Sequence, residues 1–595
     1  MSAVQKTWQL LPHDPAAVER LAAALRLSPV VAQLLLNRGL AEPDKARRFL
    51  QAPLTGLHAP ELLPGAAEAA ARLLDAVRRG RRVCVYGDYD VDGVTGTAIL
   101  LQGLRLLGAQ PDVYVPHRLE EGYGLNAEAL RQIARQGAEV VITVDCGIGS
   151  VAEAEEAKRL GLELIITDHH EPRERLPEAA VLVHPRLPSG SYPFPYLSGS
   201  AVAFKVAWAL CQLDCGSPRV TPRHREYLLD SVALAALGTV ADVVPLHDEN
   251  RILVRHGLVR LRQAPTPGLK ALLEGAGLGD RPELRAADIG YRLAPRLNAA
   301  GRLACARLVV ELLTTPSPQR ALDLARYLEG QNEQRQVLER RMLSQAREMV
   351  SASDGAPALV LASPEWHAGV IGIVAGRLAE LYARPALLIA LRREGPEEGE
   401  IGQGSGRSVP GFALHEALRA CAAHLLSHGG HKGAAGFRIR AGQIDAFREC
   451  FCAYAARHFP SGPPVPRLLI DAEVPLSALT MPLVRDLDQL EPYGMDNPQP
   501  VFLAGGVQVT GQPRRVGGGD RHLMFQVRQE GTTLQAVAWG MAERFDELMS
   551  AGGQCSLVFT PEINEFNGYR SVRLVVTDFQ PGPQAQLEIA PRSLD

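Results

Sequence analysis

The sequence predicts a multidomain α/β protein, with two α/β lobes linked by a long helix and a small β-barrel near its C-terminal end. Three observations predict this. Apolar β-branched runs alternate with amphipathic helical stretches from about residue 66 to 242, the pattern of a doubly wound parallel sheet. Residues 317–350 are rich in charge yet keep apolar residues at helical spacing (Leu324, Leu328, Leu338, Met342), so one or two long helices are expected before a second α/β region. After Ser461-Gly462-Pro463-Pro464, five short alternating strands separated by Gly-rich turns suggest a Greek-key barrel of the OB type.

In chain order, residues 1 to 48 carry short helical patterns and leave through a Pro-rich stretch ending at Pro60. Residues 66–79 read as an Ala/Arg-rich helix feeding a first strand that starts at Arg82 and ends where Asp90 and Asp92 lie. A helix at 95–107, a strand at 113–115 and a helix at 126–136 follow, then strands at 140–144 and 164–167. The apolar helix 228–237 runs into Gly238-Thr239-Val240-Ala241-Asp242. The second α/β region opens at Ala358-Leu359-Val360-Leu361 and closes near Phe459. Barrel strands are expected at 502–509, 522–527, 533–539, 556–560 and 571–577, with a loose Pro/Gln-rich tail after Gln580. The expected domains are 1–48, 49–312, 313–352, 353–460, 465–580 and 581–595.

Composition narrows the class. At 595 residues the chain is too long for one core, and about 150 residues per domain implies three to five domains. No apolar stretch reaches the roughly 20 residues that span a bilayer, and residues 1–11 lack the basic and apolar regions of a signal peptide. Nine scattered cysteines form no C-x-x-C pair, which argues against a zinc knuckle and for reduced thiols in the cytoplasm. A net charge of −3 argues against coating nucleic acid non-specifically, but leaves room for a local basic groove.

The chemistry lies where three apolar runs end. Val83 to Gly87 leads to Asp88-Tyr89-Asp90-Val91-Asp92-Gly93, Val140 to Val144 to Asp145, and Leu164 to Thr167 to Asp168-His169-His170. Ligands bind at the carboxyl ends of parallel strands, so these groups are expected at one edge. If the backbone stays extended, Asp90 and Asp92 share a face and repel unless a cation lies between them. Asp88 sits one step deeper, and Asp242 ends the fourth segment. Each segment alone also reads as an ordinary turn, loop pair or helix end. Together, Asp88, Asp90, Asp92, Asp145, His169 and Asp242 are mostly oxygen donors with imidazole, which suits manganese or magnesium better than zinc. Bridging carboxylates can hold two ions for phosphoester hydrolysis. Asp92 and Asp145 then belong to the reacting centre as well, with His170 a candidate to bond the phosphate or protonate the leaving oxygen. The division of roles between His169 and His170 stays open.

These motifs, Asp90-x-Asp92, Asp145, Asp168-His169-His170 and Gly238 to Pro245, resemble the DHH phosphoesterase superfamily. From about residue 48 to 580 the chain is similar to its RecJ-type branch. The resemblance implies a metal-dependent 5′-to-3′ exonuclease that degrades single-stranded DNA to mononucleotides in repair and recombination. It further implies a DHH catalytic lobe, a connecting helix, a DHH-associated substrate lobe and an OB-fold. Single-stranded DNA is the implied partner, with a single-strand-binding protein and a helicase as further candidates, and the chain is expected to be a monomer. An enzyme acting on short oligonucleotides or cyclic dinucleotides is the alternative within the superfamily, disfavoured by the barrel. A non-enzymatic scaffold is disfavoured because every expected ligand is present.

In the second lobe, Gly404-Ser405-Gly406-Arg407-Ser408 reads as a small-residue loop, either a phosphate cradle or a tight surface turn. Gly429 to Gly436 is a second such loop carrying His431 and Lys432. His367, in Trp366-His367-Ala368-Gly369, either meets nucleic acid or packs at a turn. Arg296 and Arg302 lie near no obvious acid and read equally as solvated charges at a helix end. The resemblance favours all of these as substrate-binding, with Arg302, Arg296, Ser405 and Arg407 as the 5′-phosphate pocket. In the barrel, Arg514, Arg515, Arg521 and His522 form a basic edge, with Phe525, Phe566 and Tyr569 as possible stacking faces. Two departures from the family pattern stand out: His184-Pro185 where Asn-Pro is usual, and Asp496 where Gly is usual.

Overall fold

The computed structural model describes residues 6–590, apart from 118–120, 123, 189, 304, 352–354, 394–399, 461, 463 and 567. The chain forms two compact units. The first consists essentially of Leu54–Val244 and Glu249–Val465, and the second of Gln5–Pro53, Pro245–Asp248 and Pro466–Asp595.

The first unit begins with a five-stranded parallel sheet. Its strands are β1 (Val83–Gly87), β2 (Asp112–Tyr114), β3 (Val140–Val144), β4 (Glu163–Thr167) and β5 (Val181–Val183), in spatial order β2-β1-β3-β4-β5. β1 and β3 are buried along their whole length, as their unbroken apolar sequences require of strands covered on both faces. Helix α1 (Val91–Leu106) is capped by the Asp90 side chain, which accepts from Gly93 N–H, and is apolar almost all round. It packs between helices α2 (Gly199–Cys215) and α3 (Pro222–Ala241). Ser198 and Thr221 cap α2 and α3 through their hydroxyls, and Pro222 opens α3 at a position where no N–H is needed. The 238–241 segment therefore continues α3.

Helix α4 (Ala294–Leu303) leads toward a single long helix, α5 (Pro318–Ser351). α5 buries one stripe at three- and four-residue spacing (Ala321, Leu324, Leu328, Asn332, Arg335, Glu339, Met342, Ala346, Val350), in which Arg335 and Glu339 pair with each other, and exposes most of its other charges. The second sheet contains β6 (Leu359–Ser363), β7 (Ala386–Arg393), β8 (Glu400–Arg407), β9 (Ser427–Gly430) and β10 (Ala434–Arg440), ordered β9-β10-β8-β7-β6. Helix α6 (Ile371–Tyr382) shares an apolar core with α5, β6 and β7. The stretch around Gly404 is thus a central strand and no loop. Glycines at 402, 404 and 406 share one face and leave room for neighbours: a Cβ on Gly404 would lie 2.2 Å from the Phe437 ring, and one on Gly402 2.5 Å from Ile389. Likewise, 429–436 is the end of a β9–β10 hairpin, with the turn at residues 431–433.

The second unit holds a closed five-stranded barrel of Phe502–Val516, His522–Gln529, Thr532–Ala538, Tyr569–Pro581 and Gln554–Phe566, the last pairing back to the first. The N-terminal helices contribute Val18, Leu21, Val31, Leu34 and Leu35 to the same core as Phe502, Phe525, Phe559 and Phe579. A short strand, Thr7–Leu10, lies between Arg467–Ile470 and Leu587–Ile589 in a parallel sheet. The expectation of a loose tail after Gln580 is corrected there: Leu587 and Ile589 pair with the N-terminal strand, which satisfies their backbone groups. Among the described residues, no helix is long and apolar enough to cross a membrane.

Candidate metal centre

The carboxyl edge of the first sheet gathers the acids, but not through extended backbone. β1 ends at Gly87, Asp90 caps α1, and Asp92 lies in its first turn. The Asp90/Asp92 pairing is therefore set by a helix start. Val91 N–H donates to Asn298 Oδ1 at 3.2 Å, so α4 holds the same turn. Asp92 is buried and accepts from Gly199 N–H at 2.5 Å and Ser200 N–H at 3.0 Å, the first amides of α2. A helix N-terminus thus faces this carboxylate, a favourable placement for negative charge. Asp145 follows β3 in the left-handed region at φ 65°, and its N–H donates to Thr167 O at 3.1 Å. A Cβ on Gly199 would lie 2.6 Å from Asp145 Oδ1, so only glycine admits both carboxylates here. Asp242 is the C-terminal cap of α3, at the negative end of its helix dipole.

Three donor groups result, in each of which the ligand atoms lie within 4.8 Å of one another: Asp88/Asp90/Asp145, Asp92/His169/Asp242 and Asp145/His169/His170. The first two share no residue. His169 Nε2 lies 3.1 Å from Asp145, 3.5 Å from Asp242 and 3.8 Å from Asp92. Burial, then the charges of Asp92 and Asp90, push the Asp145 and Asp242 carboxyls above their usual range. Burial and then the neighbouring His170 lower His169 to about 4, which keeps it neutral and ligand-competent. His170 goes the other way. Burial would lower it, but the Asp168 hydrogen bond at 2.8 Å and that carboxylate's charge raise it to about 9. Burial would raise Asp168; His170 outweighs that and, with His169 and the Ile148 N–H, holds it low. Crowded carboxylates, an imidazole kept neutral and oxygen-rich donors fit a hard divalent cation such as manganese or magnesium.

A cleft of about 950 Å³ opens beside His170, lined on one side by Gly122, Ile148 and His170 and on the other by Gln403, His431 and Arg438. The remaining expected substrate-binding residues separate into different places. Ser405 and Arg407 share the face of β8 opposite the glycines and meet the start of α6: a Cβ on Gly372 would lie 2.9 Å from Ser405 Oγ and 3.3 Å from Arg407 Nη2. Arg407 Nη1 donates to Gly406 O at 2.8 Å and lies 3.5 Å from Ser405 Oγ. Gly406 itself faces Leu387 and Leu414. Arg302 donates to Gly369 O at 3.1 Å, and His367 Nδ1 accepts from Gly369 N–H at 3.1 Å, so both lie at the turn before α6. Lys432 is in the exposed hairpin turn, where its carbonyl accepts from Leu414 N–H at 3.0 Å. Arg296 is near an acid after all. Its guanidinium grips Glu329 of α5 at 2.5 and 3.1 Å, a partner 33 residues away that sequence proximity could not reveal. In the barrel, Arg514, Arg515 and Arg521 are exposed, Arg515 lies over the Phe545 ring, Phe525 is core and Tyr569 is 82% exposed. The Phe566 side chain lies outside the described residues.

Three family models match in order along the chain: DHH family, N-terminal domain at residues 82–237, DHHA1 domain at 355–457 and RecJ OB domain at 470–578. The single-stranded-DNA-specific exonuclease RecJ of Bacillus subtilis is 37% identical over 579 residues, covering 97% of this chain and 71% of the relative. That of Thermus thermophilus is 37% identical over 593 residues, covering 98% of this chain and 80% of the relative. The chain belongs to the RecJ family. The crystal structure of RecJ in complex with Mn2+ from Thermus thermophilus superposes with a TM-score of 0.82 at 36% identity, covering 98% of this chain and 81% of that one. A crystal structure of exonuclease RecJ bound to manganese gives 0.57 at 41% identity, over 68% of this chain and 97% of that one.

Against the usual RecJ pattern, both departures have a physical setting. Asp496 takes φ 57°, the left-handed backbone that glycine adopts without strain. His184 keeps hydrogen bonds at both ring nitrogens, to His170 O and Arg186 N–H. Several contributors escaped the sequence reading. Ser198, Ser200 and Thr239 form a buried hydroxyl cluster behind Asp92, with Ser198 Oγ 3.0 Å from each of the other two hydroxyls. Ser198-Gly199-Ser200 ahead of an apolar run was the available signal, an N-cap signature. Trp539, half exposed and edge-on to His522 at a ring-centroid distance of 4.8 Å, is an exposed ring beside the basic edge that the strand pattern concealed.

Proposed function

We propose that this chain is a divalent-metal-dependent exonuclease that removes nucleotides from the 5′ end of single-stranded DNA, in DNA repair and recombination. The observation that carries this reading is the pair of separate donor groups beside a cleft formed with the second lobe. Asp88, Asp90 and Asp145 would hold one manganese or magnesium ion, and Asp92, His169 and Asp242 a second. Such ions, when bound, favour a nucleophilic water and stabilise charge developing at phosphorus. His170, kept protonated by Asp168, is positioned to hydrogen-bond the reacting phosphate or give a proton to the leaving oxygen. Arg302, Ser405 and Arg407, grouped around the start of α6, are suited to a terminal phosphate: a guanidinium fork, a hydroxyl and a helix N-terminus. A pocket of that kind admits a strand end and gives a physical basis for polarity. Arg296 is better read as a pin between α4 and α5. The barrel favours long strands over short oligonucleotides or cyclic dinucleotides, because a small substrate needs no second module.

The deciding experiment follows 5′- and 3′-labelled single strands with manganese, for the wild type and Asp145→Ala. Release of the 5′ label first, abolished in the variant, is expected. Release of the 3′ label first, or activity surviving in Asp145→Ala, would contradict the reading.

A further inference from the structure

We propose that His184 is a positioning residue that holds the turn from which His169 and His170 diverge; this rests on reading that turn as part of a metal centre. His184 follows β5 and is fully buried. Its Nδ1 lies 2.9 Å from Arg186 N–H, and its Nε2 lies 2.8 Å from the His170 backbone carbonyl. A backbone N–H only donates and a carbonyl only accepts, so both bonds are satisfied by one tautomer, with the proton on Nε2. Two residues on, Arg186 Nη2 donates to the His169 carbonyl at 2.6 Å, and its Nη1 bonds Glu171. One strand end thus holds the carbonyls of two consecutive residues.

The opposite side of the same dipeptide is held as well. The Asp168 carboxylate accepts from His169 N–H at 2.7 Å and His170 N–H at 3.1 Å. With N–H and C=O both engaged, neither peptide plane can rotate without breaking a hydrogen bond. The consequence is the divergence of the two rings, whose centroids are 4.5 Å apart with planes inclined at 55°. His169 Nε2 is aimed at Asp145 and Asp242, and His170 Nδ1 is kept on Asp168. The hydrogen bonds of His184 go to backbone groups, so its effect on the site passes through the backbone it holds.

Two substitutions test the bond to His170. The Gln side-chain nitrogen reaches the position of His Nε2 and retains the bond to His170 O. Leu fills the same buried site and retains neither hydrogen bond. The experiment measures manganese affinity by calorimetry, kcat and KM on a 5′-phosphorylated oligonucleotide, and the melting temperature, for His184→Ala, His184→Leu and His184→Gln. Loss of an outer partner of a metal ligand typically lowers affinity or activity about 10–100-fold. We expect Ala and Leu to weaken manganese binding and lower kcat about tenfold, with KM little changed, and Gln to restore most of both. If His184→Ala fails to fold, the Leu and Gln pair still decides. Equal impairment of Leu and Gln, or parent-like manganese binding by Leu, would overturn the proposal. So would a loss of melting temperature with no change in manganese affinity. Asp145→Ala is the control on the underlying reading: manganese binding untouched by that variant would remove the metal centre, and the proposal with it.

Discussion

Gly238 shows how little room the centre allows at the scale of a single residue. A Cβ there would lie 2.2 Å from Ser200 Oγ and 2.3 Å from Asp92 Oδ1, both buried. Gly238→Ala should displace the carboxylate that α2 holds, destabilise the fold by about 1–3 kcal/mol through overpacking, and reduce cleavage more than a surface substitution of equal stability cost. Thermal melts with activity measured on the folded fraction check this; full activity per folded molecule would contradict it. Arg407 supplies a second prediction. Removing its guanidinium should weaken 5′-phosphorylated substrate by about tenfold or more, the scale of one charge-assisted hydrogen bond, and leave 5′-hydroxyl substrate nearly unchanged. Competition between the two ends in one reaction measures the difference, and equal losses would remove Arg407 from the phosphate pocket. The residue identities were readable because β-branched runs end directly on Asp and His. What those runs do not announce is that β1 stops at Gly87, so that helix capping places Asp90 and Asp92.

At the scale of elements, α2 and β8 carry the lessons. α2 is a largely apolar helix, and its role in presenting two amides to Asp92 emerges only when it packs beside α1 and α3. β8 reads as a loop because glycine at alternate positions lowers strand propensity. Its strand character comes from the neighbours whose side chains occupy the vacated face, Phe437 and Ile389. The same alternation turns Ser405 and Arg407 together toward α6. Gly404→Val is therefore expected to expel the Phe437 ring and unfold the second sheet locally. Amide exchange should show faster opening in 400–407 and 434–440 while the first sheet keeps its protection; unchanged exchange there would contradict the packing account. The single length of α5 follows from its apolar stripe. Its grip on Arg296 through Glu329 was hidden, because side chains 33 residues apart meet only after α4 and α5 pack.

For the whole molecule, the division into two units changes how the barrel should be tested. The N-terminal helices share the barrel's core, and the Thr7–Leu10 strand pairs with segments on both sides of it in sequence. Cutting the chain after residue 465 would strip that core and give an unstable protein, so substitution in the full chain is the cleaner probe. Arg514→Ala with Trp539→Ala should weaken long single strands more than short ones. The log–log salt dependence of binding should also become shallower, by about 0.7 for each single-strand phosphate that is no longer neutralised. Binding curves at several salt concentrations measure this, and an unchanged slope would exclude Arg514 from the strand path. The most direct test of the central claim is the number of manganese ions bound per chain at saturation, measured by calorimetry on the metal-free protein. The donor groups Asp88/Asp90/Asp145 and Asp92/His169/Asp242 predict two ions in the wild type and at most one, with cleavage abolished, in Asp145→Ala. No tight manganese in the wild type, or two ions retained by the variant, would contradict the account.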